Sequence, residues 1–406
     1  LFLLKIGVKE GLLGFLSVIP FIVGIGSFLL VPWVGRNYTR IMRPVSYVLI
    51  ILAFLLLPLF LISERMGYRA SILYYATFVF LFWTGTQISS LAWFPVVHLW
   101  VPEDERGRFF GTLRFTSTIV GFGFLRLSSY MLGIDPTYMD FFNVMLVVSI
   151  WPVALSKVPM PSPEFEEQEK VNFFSVFRDI FSDRERNIYF WFYFLWNLAA
   201  YTVAPFIVPF YKMVLNLPAS FCIFVNSISV LGMGGLAFIW GKVNDFRGSR
   251  FVLFFSFILA SIYYLLMAHI HLFPAEGIKR ALIFTSLVGG IAGGGQLMGD
   301  TTRRLMIAPE KNRVGFFSYL SVFGGQLPAL IVPPITGPFI EAHKNFHIGS
   351  YGIYQIFFLS LAVLYLMILG LILKMKPIKE KPVGEIFRDV ITENLMKLRD
   401  LIASPP

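Results

Sequence analysis

The sequence predicts an all-α membrane protein: two six-helix bundles related by a parallel repeat, with eleven complete spans present. Three observations carry that expectation. Of 406 residues, 56% are hydrophobic and only 14% charged, against roughly 25% charged in a soluble domain. The apolar residues fall in runs of about twenty, enough for a helix to cross a hydrocarbon core of about 30 Å. A polar segment also occurs twice: Pro102-Glu103-Asp104-Glu105-Arg106-Gly107-Arg108-Phe109-Phe110 returns as Pro309-Glu310-Lys311-Asn312-Arg313-Val314-Gly315-Phe316-Phe317, identical at five of nine positions. The copies lie about 207 residues apart, half the chain, and the hydrophilic turns starting at Gly35 and Gly241 repeat at nearly the same offset.

Taken in order, the spans are expected at 11–34, 45–63, 71–100, 108–132, 139–157, 187–211, 219–240, 251–272, 280–305, 313–337 and 350–375. None alternates with the two-residue period of a membrane strand, so all are read as helices. The chain opens without Met on Leu1-Phe2-Leu3-Leu4, which reads as the last turn of a helix. Shifting span 187–211 back by the repeat offset places a further helix largely before residue 1. A first helix mostly missing from this chain is therefore expected. Residues 1–157 form the N-terminal bundle, 158–186 a linker, 187–375 the C-terminal bundle and 376–406 a tail. Linker and tail each carry apolar residues at three- and four-residue steps, from Val171 to Phe181 and from Val383 to Ile402, as amphipathic helices that brace the bundles.

Lys and Arg are about three times as frequent in loops on the linker side as on the other side. That places the linker and both ends of the full chain in the cytoplasm, and the expected location is the cytoplasmic (inner) membrane of a prokaryote. The net charge of +10 belongs to these loops and faces anionic lipid; nucleic acid is not an expected partner. Cys222, the single cysteine, sits in an apolar span, so no disulfide framework exists. No metal-ligand spacing, cofactor motif, paired carboxylates with His, or nucleophile with its base stands at one membrane depth, which excludes an enzyme. Gly293-Gly294-Gly295 lies in mid-span with no strand before it and is no phosphate loop. With Gly232, Gly234, Gly235, Gly289, Gly290, Gly324 and Gly325 it signals close helix packing.

Gly241-Lys242-Val243-Asn244-Asp245-Phe246-Arg247-Gly248-Ser249-Arg250 resembles the inner-loop signature of the major facilitator superfamily, Gly-x-x-x-Asp-(Arg/Lys)-x-Gly-(Arg/Lys)-(Arg/Lys). Gly241, Asp245, Gly248 and Arg250 match; Phe246 and Ser249 depart from it. The N-terminal counterpart keeps Gly35 and Arg40, with Thr39 where the Asp is expected. The resemblance extends to the six-plus-six topology and the central linker. It implies a secondary active transporter that moves a small organic solute by alternating access, with lipid around it and a coupling proton or cation left open. The other readings are a non-transporting receptor or scaffold on the same fold and, among transporters, drug efflux rather than nutrient uptake.

The resemblance also implies a cavity between the halves near the midplane, lined mainly by the first, fourth, seventh and tenth helices. Substrate-binding candidates on the lining helices are Trp83, Thr86, Gln87, Arg126, Trp196, Asn197, Tyr201, Gln296 and Gln326. Polar groups at membrane depth mark either such a cavity or helix-to-helix hydrogen bonds. The aromatic and amide groups of the fourth and seventh helices favour a neutral or weakly polar solute. Asp245 is expected to latch an inner gate against Arg303 or Arg304, with Arg106, Arg250 and Arg313 in the surrounding charge network. No carboxylate is expected at mid-span; Asp300 is the nearest.

Overall fold

The computed structural model describes residues 2–28, 43–56, 67–91, 106–134, 173–309 and 313–377. The N-terminal half contributes α1 (Phe2–Lys5), α2 (Glu10–Leu16), α3 (Ile19–Phe28), α4 (Arg43–Leu55), α5 (Tyr68–Leu91) and α6 (Arg106–Ile134). The linker helix is α7 (Phe173–Ser182). The C-terminal half contributes α8 (Arg184–Val203), α9 (Ala219–Gly235), α10 (Ala237–His269), α11 (Ala275–Ile307), α12 (Arg313–Tyr319), α13 (Leu327–Ala342) and α14 (Ile353–Lys374). Short turns carry α8 on to Val214, and a π-turn over Leu320–Gln326 joins α12 to α13. Between α13 and α14 lies one hairpin of β1 (His347–Ile348) and β2 (Tyr351–Gly352), turned at Gly349 with φ 60°.

Ten of the eleven expected spans overlap these helices, and their stretches 29–34, 57–63 and 92–100 lie outside the described residues. Span 139–157, the acidic cluster from Glu164 and the amphipathic tail lie outside the described residues. Among the described residues six helices are long and apolar enough to cross a membrane, with three shorter apolar ones beside them.

Glycine explains how α11 packs on two neighbours at once. A Cβ on Gly232 of α9 would sit 2.7 Å from the Leu287 carbonyl oxygen, and one on Gly290 would overlap the Ser229 carbonyl. On the other face, Gly289 lies under the Tyr263 ring and Gly295 under Ser256 and Trp240. Backbones come this close only where no side chain intervenes. Gly290→Ala is expected to cost about 1–3 kcal/mol by overpacking, whereas Gly293→Ala, with open space at its Cβ position, leaves thermal unfolding in detergent unchanged.

The polar loop expected at Gly241–Arg250 is instead helical on both sides of a single break at Gly248, whose φ of 77° suits a residue without a Cβ. Before the break the chain runs alongside α11 in the same direction: Trp240 Nε1 donates to the Ile291 carbonyl at 2.9 Å and Asn244 Nδ2 to Thr302 Oγ1 at 3.0 Å. After it, Ser256 and Tyr263 pack on Gly295 and Gly289 in reverse order. Gly248 is thus the point where the chain turns back.

The linker helix α7 forms as its periodicity predicts and docks on the C-terminal half. Val176 and Ile180 are buried, Phe181 meets Phe190 at 5.1 Å between ring centroids, and Phe177 meets Tyr319 at 6.2 Å. Asp183 then caps α8 by accepting from the Arg186 backbone N–H at 2.8 Å. Inside the C-terminal bundle Phe192, Trp196, Phe257, Tyr365, Tyr264 and Phe358 form a continuous aromatic core.

Candidate functional site

The two halves meet along two seams, α6 against α9, where Ser129 Oγ donates to the Ser220 carbonyl at 2.8 Å, and α2–α3 against α13; the second carries the charged groups. Its upper part is bare backbone. A Cβ on Gly337 would lie 2.5 Å from the Glu10 carbonyl oxygen, and one on Gly14 would overlap the Pro333 carbonyl. Pro333, Pro334 and Pro338 are tolerated inside α13 because the neighbouring helix, not an unbroken hydrogen-bond ladder, supports that stretch.

Charged groups close the seam on the side away from the linker. Glu341 Oε2 accepts from the Gly11 N–H at 3.0 Å, and Lys9 Nζ stands 3.6 Å from Glu341 Oε1. The Glu10 side chain is wholly buried between the halves. Its Oε1 accepts from the Tyr354 hydroxyl and takes Lys344 Nζ, each at 3.2 Å, while Oε2 is buried with no donor. Two positive and two negative groups thereby cancel. Glu10, Lys9, Glu341 and Lys344 escaped the sequence reading, although each stands at the end of an apolar run. What the sequence lacked was the pairing, across more than three hundred residues.

Lower down, two candidates join the seam. Tyr201 meets Phe21 edge-on at 4.8 Å, linking α8 to α3. The Gln326 amide covers Gly24, 2.6 Å from where a Cβ would stand, and its Oε1 is buried without a partner. Beyond these contacts, toward the linker, Tyr193 of α8 lies against Gly324 and Gly325 of the π-turn. Asn197 donates to the Tyr193 carbonyl at 2.8 Å.

The other substrate candidates are spread out. Trp196 is turned into the aromatic core of its own bundle, 5.7 Å from Phe257, and not toward the seam. Trp83 packs edge-on against Phe82, and Thr86 donates to the Phe82 carbonyl at 2.7 Å; Gln87 lies one residue further on the same helix, α5. Arg126 is exposed, its guanidinium 5.0 Å from the Phe224 ring, at the contact between α6 and α9. Gln296 is 7% exposed on α11, and its Nε2 has no protein partner.

At the linker end the basic candidates are paired within the C-terminal half. Arg303 is fully buried, forms an ion pair with Glu185 of α8, and donates from Nη1 to the Lys376 carbonyl at 2.8 Å. Glu185 Oε2 accepts the Lys376 N–H at 3.0 Å, and Arg250 Nη1 donates to the Met375 carbonyl at 3.1 Å. These groups clamp the end of α14 to α8, α10 and α11. Arg304 pairs with Asp300 one turn back and donates from Nε to the Tyr189 hydroxyl at 3.0 Å. Its guanidinium lies 4.1 Å over the Tyr193 ring, and Tyr189 in turn donates to Asp300. Gly241 lies against Met298. The side chains of Asp245, Arg106 and Arg313 lie outside the described residues, so the expected latch stays an expectation. Glu185, Tyr189 and Tyr193 were not singled out from sequence; their spacing along α8 is legible only once α11 is opposite them.

A cavity of about 480 Å³ lies apart from all these groups, between Thr202, Phe339, His343 and Phe357, and is lined almost entirely by apolar side chains. A narrower one of about 270 Å³ separates the halves among Leu3, Leu13, Tyr75 and Pro209.

Comparison with known proteins agrees with this architecture. No curated protein matches the chain in sequence. The family model of the Major Facilitator Superfamily matches residues 2–273. Among solved structures, the nucleoside transporter NupG is similar with a TM-score of 0.60 and 12% identity, covering 92% of both chains. A bacterial homologue of the iron transporter ferroportin, in an inward-facing state, is similar with a TM-score of 0.64, 14% identity and 92% coverage of both chains. A D-xylose-proton symporter is similar with a TM-score of 0.62 and 15% identity over 91% of this chain and 90% of that one. The shared fold accounts for the two bundles and the seam between them, and the family is one of transporters rather than enzymes. With its family model matched over about two thirds of its length, the chain belongs to the Major Facilitator Superfamily of membrane transporters.

Proposed function

We propose that this protein moves a small organic solute by alternating access and that the structure has its outer side closed. The closed seam is the observation that supports this. Glycine and proline backbones touch between α2 and α13, and four compensating charges cover the end of the contact. A permanent interface gains from large apolar side chains. Backbone contact capped by ion pairs breaks with little apolar exposure, which suits a surface that must separate repeatedly. With the linker in the cytoplasm, the sealed end faces outward, and a prokaryotic cytoplasmic membrane is the proposed location. A coupling proton or cation belongs to the same proposal, without a residue assigned to it.

The test uses the full chain with Lys5→Cys and Asn345→Cys, both exposed, spin-labelled on either side of the seam. The native Cys222 is buried and does not compete. Two distance populations, exchanging in proportion when a transported ligand is added, are the expected result. One short distance under all conditions would sink the alternating-access reading. Ligand binding in proteoliposomes without uptake would establish the receptor reading instead.

A further inference from the structure

Just inward of the seam, four side chains form a compact polar group: Tyr189 and Tyr193 from α8, Asp300 and Arg304 from α11. Asp300 is held on both oxygens, one by the Tyr189 hydroxyl and one by Arg304. Arg304 is held by its Nε, by one terminal nitrogen and by the aromatic face beneath it. Among the described residues no acceptor meets its second terminal nitrogen, Nη1, and 22% of the side chain is exposed while its partner Asp300 is 3% exposed. The guanidinium is therefore fixed in orientation with one donor edge left open. Gln296 stands two turns further along α11, about 12 Å by the helical rise, and Asp300 lies midway between it and Arg304. Its amide is more than nine-tenths buried, yet Nε2 finds no acceptor. A buried donor without an acceptor costs free energy that a bound ligand recovers.

The charge balance sets the class of ligand. Arg304 is compensated by Asp300 and Arg303 by Glu185, so neither of these two arginines of α11 presents a net charge. An ion entering such a place loses hydration without gaining a counter-charge. An uncharged solute loses far less, and two oxygens carried on one such solute meet the two donors, which lie too far apart for a single acceptor. We propose that Arg304 and Gln296 bind the transported substrate, and that the substrate is an uncharged solute carrying hydroxyl or carbonyl oxygens. Asp300 and Tyr189 act as positioning residues: they hold the arginine and cancel its charge. This rests on the transport reading but names a site and a substrate class that it does not contain.

The test is thermal unfolding of the purified full chain in detergent with six probes: inositol, glucose and uridine as uncharged solutes, malonate and acetate as anions, choline as a cation. The wild type is expected to be stabilised by at least one uncharged probe and by none of the ions. Arg304→Gln and Gln296→Ala should each weaken that probe at least about tenfold. Asp300→Asn should create binding of malonate that the wild type lacks, because it leaves Arg304 uncompensated; a merely structural role for Asp300 does not confer a new ligand. The proposal is overturned if no uncharged probe stabilises the wild type, if an ion does so through Arg304, or if uncharged binding survives both Arg304→Gln and Gln296→Ala. Should Arg304→Gln fail to fold, Gln296→Ala and Asp300→Asn still decide it. The spin-label distances across the seam are independent of these outcomes, so failure of the site and failure of alternating access are separable.

Discussion

Replacing Gly337 by leucine is expected to hold the outer side of the transporter open. A Cβ at this position would lie 2.5 Å from the Glu10 carbonyl oxygen and 3.3 Å from the Gly11 Cα. Both neighbours are backbone and cannot rotate aside. The added bulk is absorbed only by moving α13 away from α2, which also separates Glu10 from Lys344 and Tyr354. Overpacking of this kind costs about 1–3 kcal/mol, and when it falls on the closed state alone it shifts the open-to-closed ratio by roughly five- to 150-fold. The spin-label pair should then report mostly the long distance, and the transport rate should fall by a similar factor. Gly337→Ala should give a smaller shift in the same direction. A folded Gly337→Leu protein with the wild-type distance distribution would show that the seam does not govern access.

The second large effect concerns stability. Arg303→Met removes the guanidinium from a fully buried ion pair and leaves the Glu185 carboxylate, itself 9% exposed, without its cation. Breaking a buried pair on one side costs about 3–5 kcal/mol. The Lys376 carbonyl at the end of α14 loses its donor in the same step. Unfolding in detergent should therefore occur at markedly lower temperature, with α14 separating first from α8 and α11. The double variant Glu185→Gln with Arg303→Met should recover a large part of the loss, since a neutral amide remains able to accept the Lys376 N–H. Equal destabilisation in the single and double variants would mean that packing, not the buried charge, sets the effect.

Both predictions concern residues whose role was invisible along the chain. The sequence leaves Arg303 and Arg304 as equal candidates for a gating cation opposed to Asp245. In the fold it is Arg304 that pairs with Asp300, while Arg303, one residue earlier and therefore turned about 100° around the helix, meets Glu185. A single-residue difference in helical phase separates a fully buried clamp from a partly exposed guanidinium stacked on Tyr193. Trp196 and Asn197 show the same thing on α8: neighbours in sequence, they point to the aromatic core and to the Tyr193 carbonyl.

Composition, run length and the repeated turns were enough to determine an all-α membrane protein of two halves, the positions of its described spans, and the amphipathic helix between the halves. These are properties of local hydropathy: a bilayer admits only backbone that satisfies its own hydrogen bonds, so apolar runs of sufficient length must be helices. The tertiary structure alone decided which small residues form the seam, that Glu10 is enclosed by Lys344 and Tyr354, and that the chain reverses at Gly248. It also decided which arginine is buried and which is left with an open donor. Those outcomes depend on helix rotation and on partners hundreds of residues distant. The free energy of each pairing belongs to two segments brought together, and neither segment carries it alone.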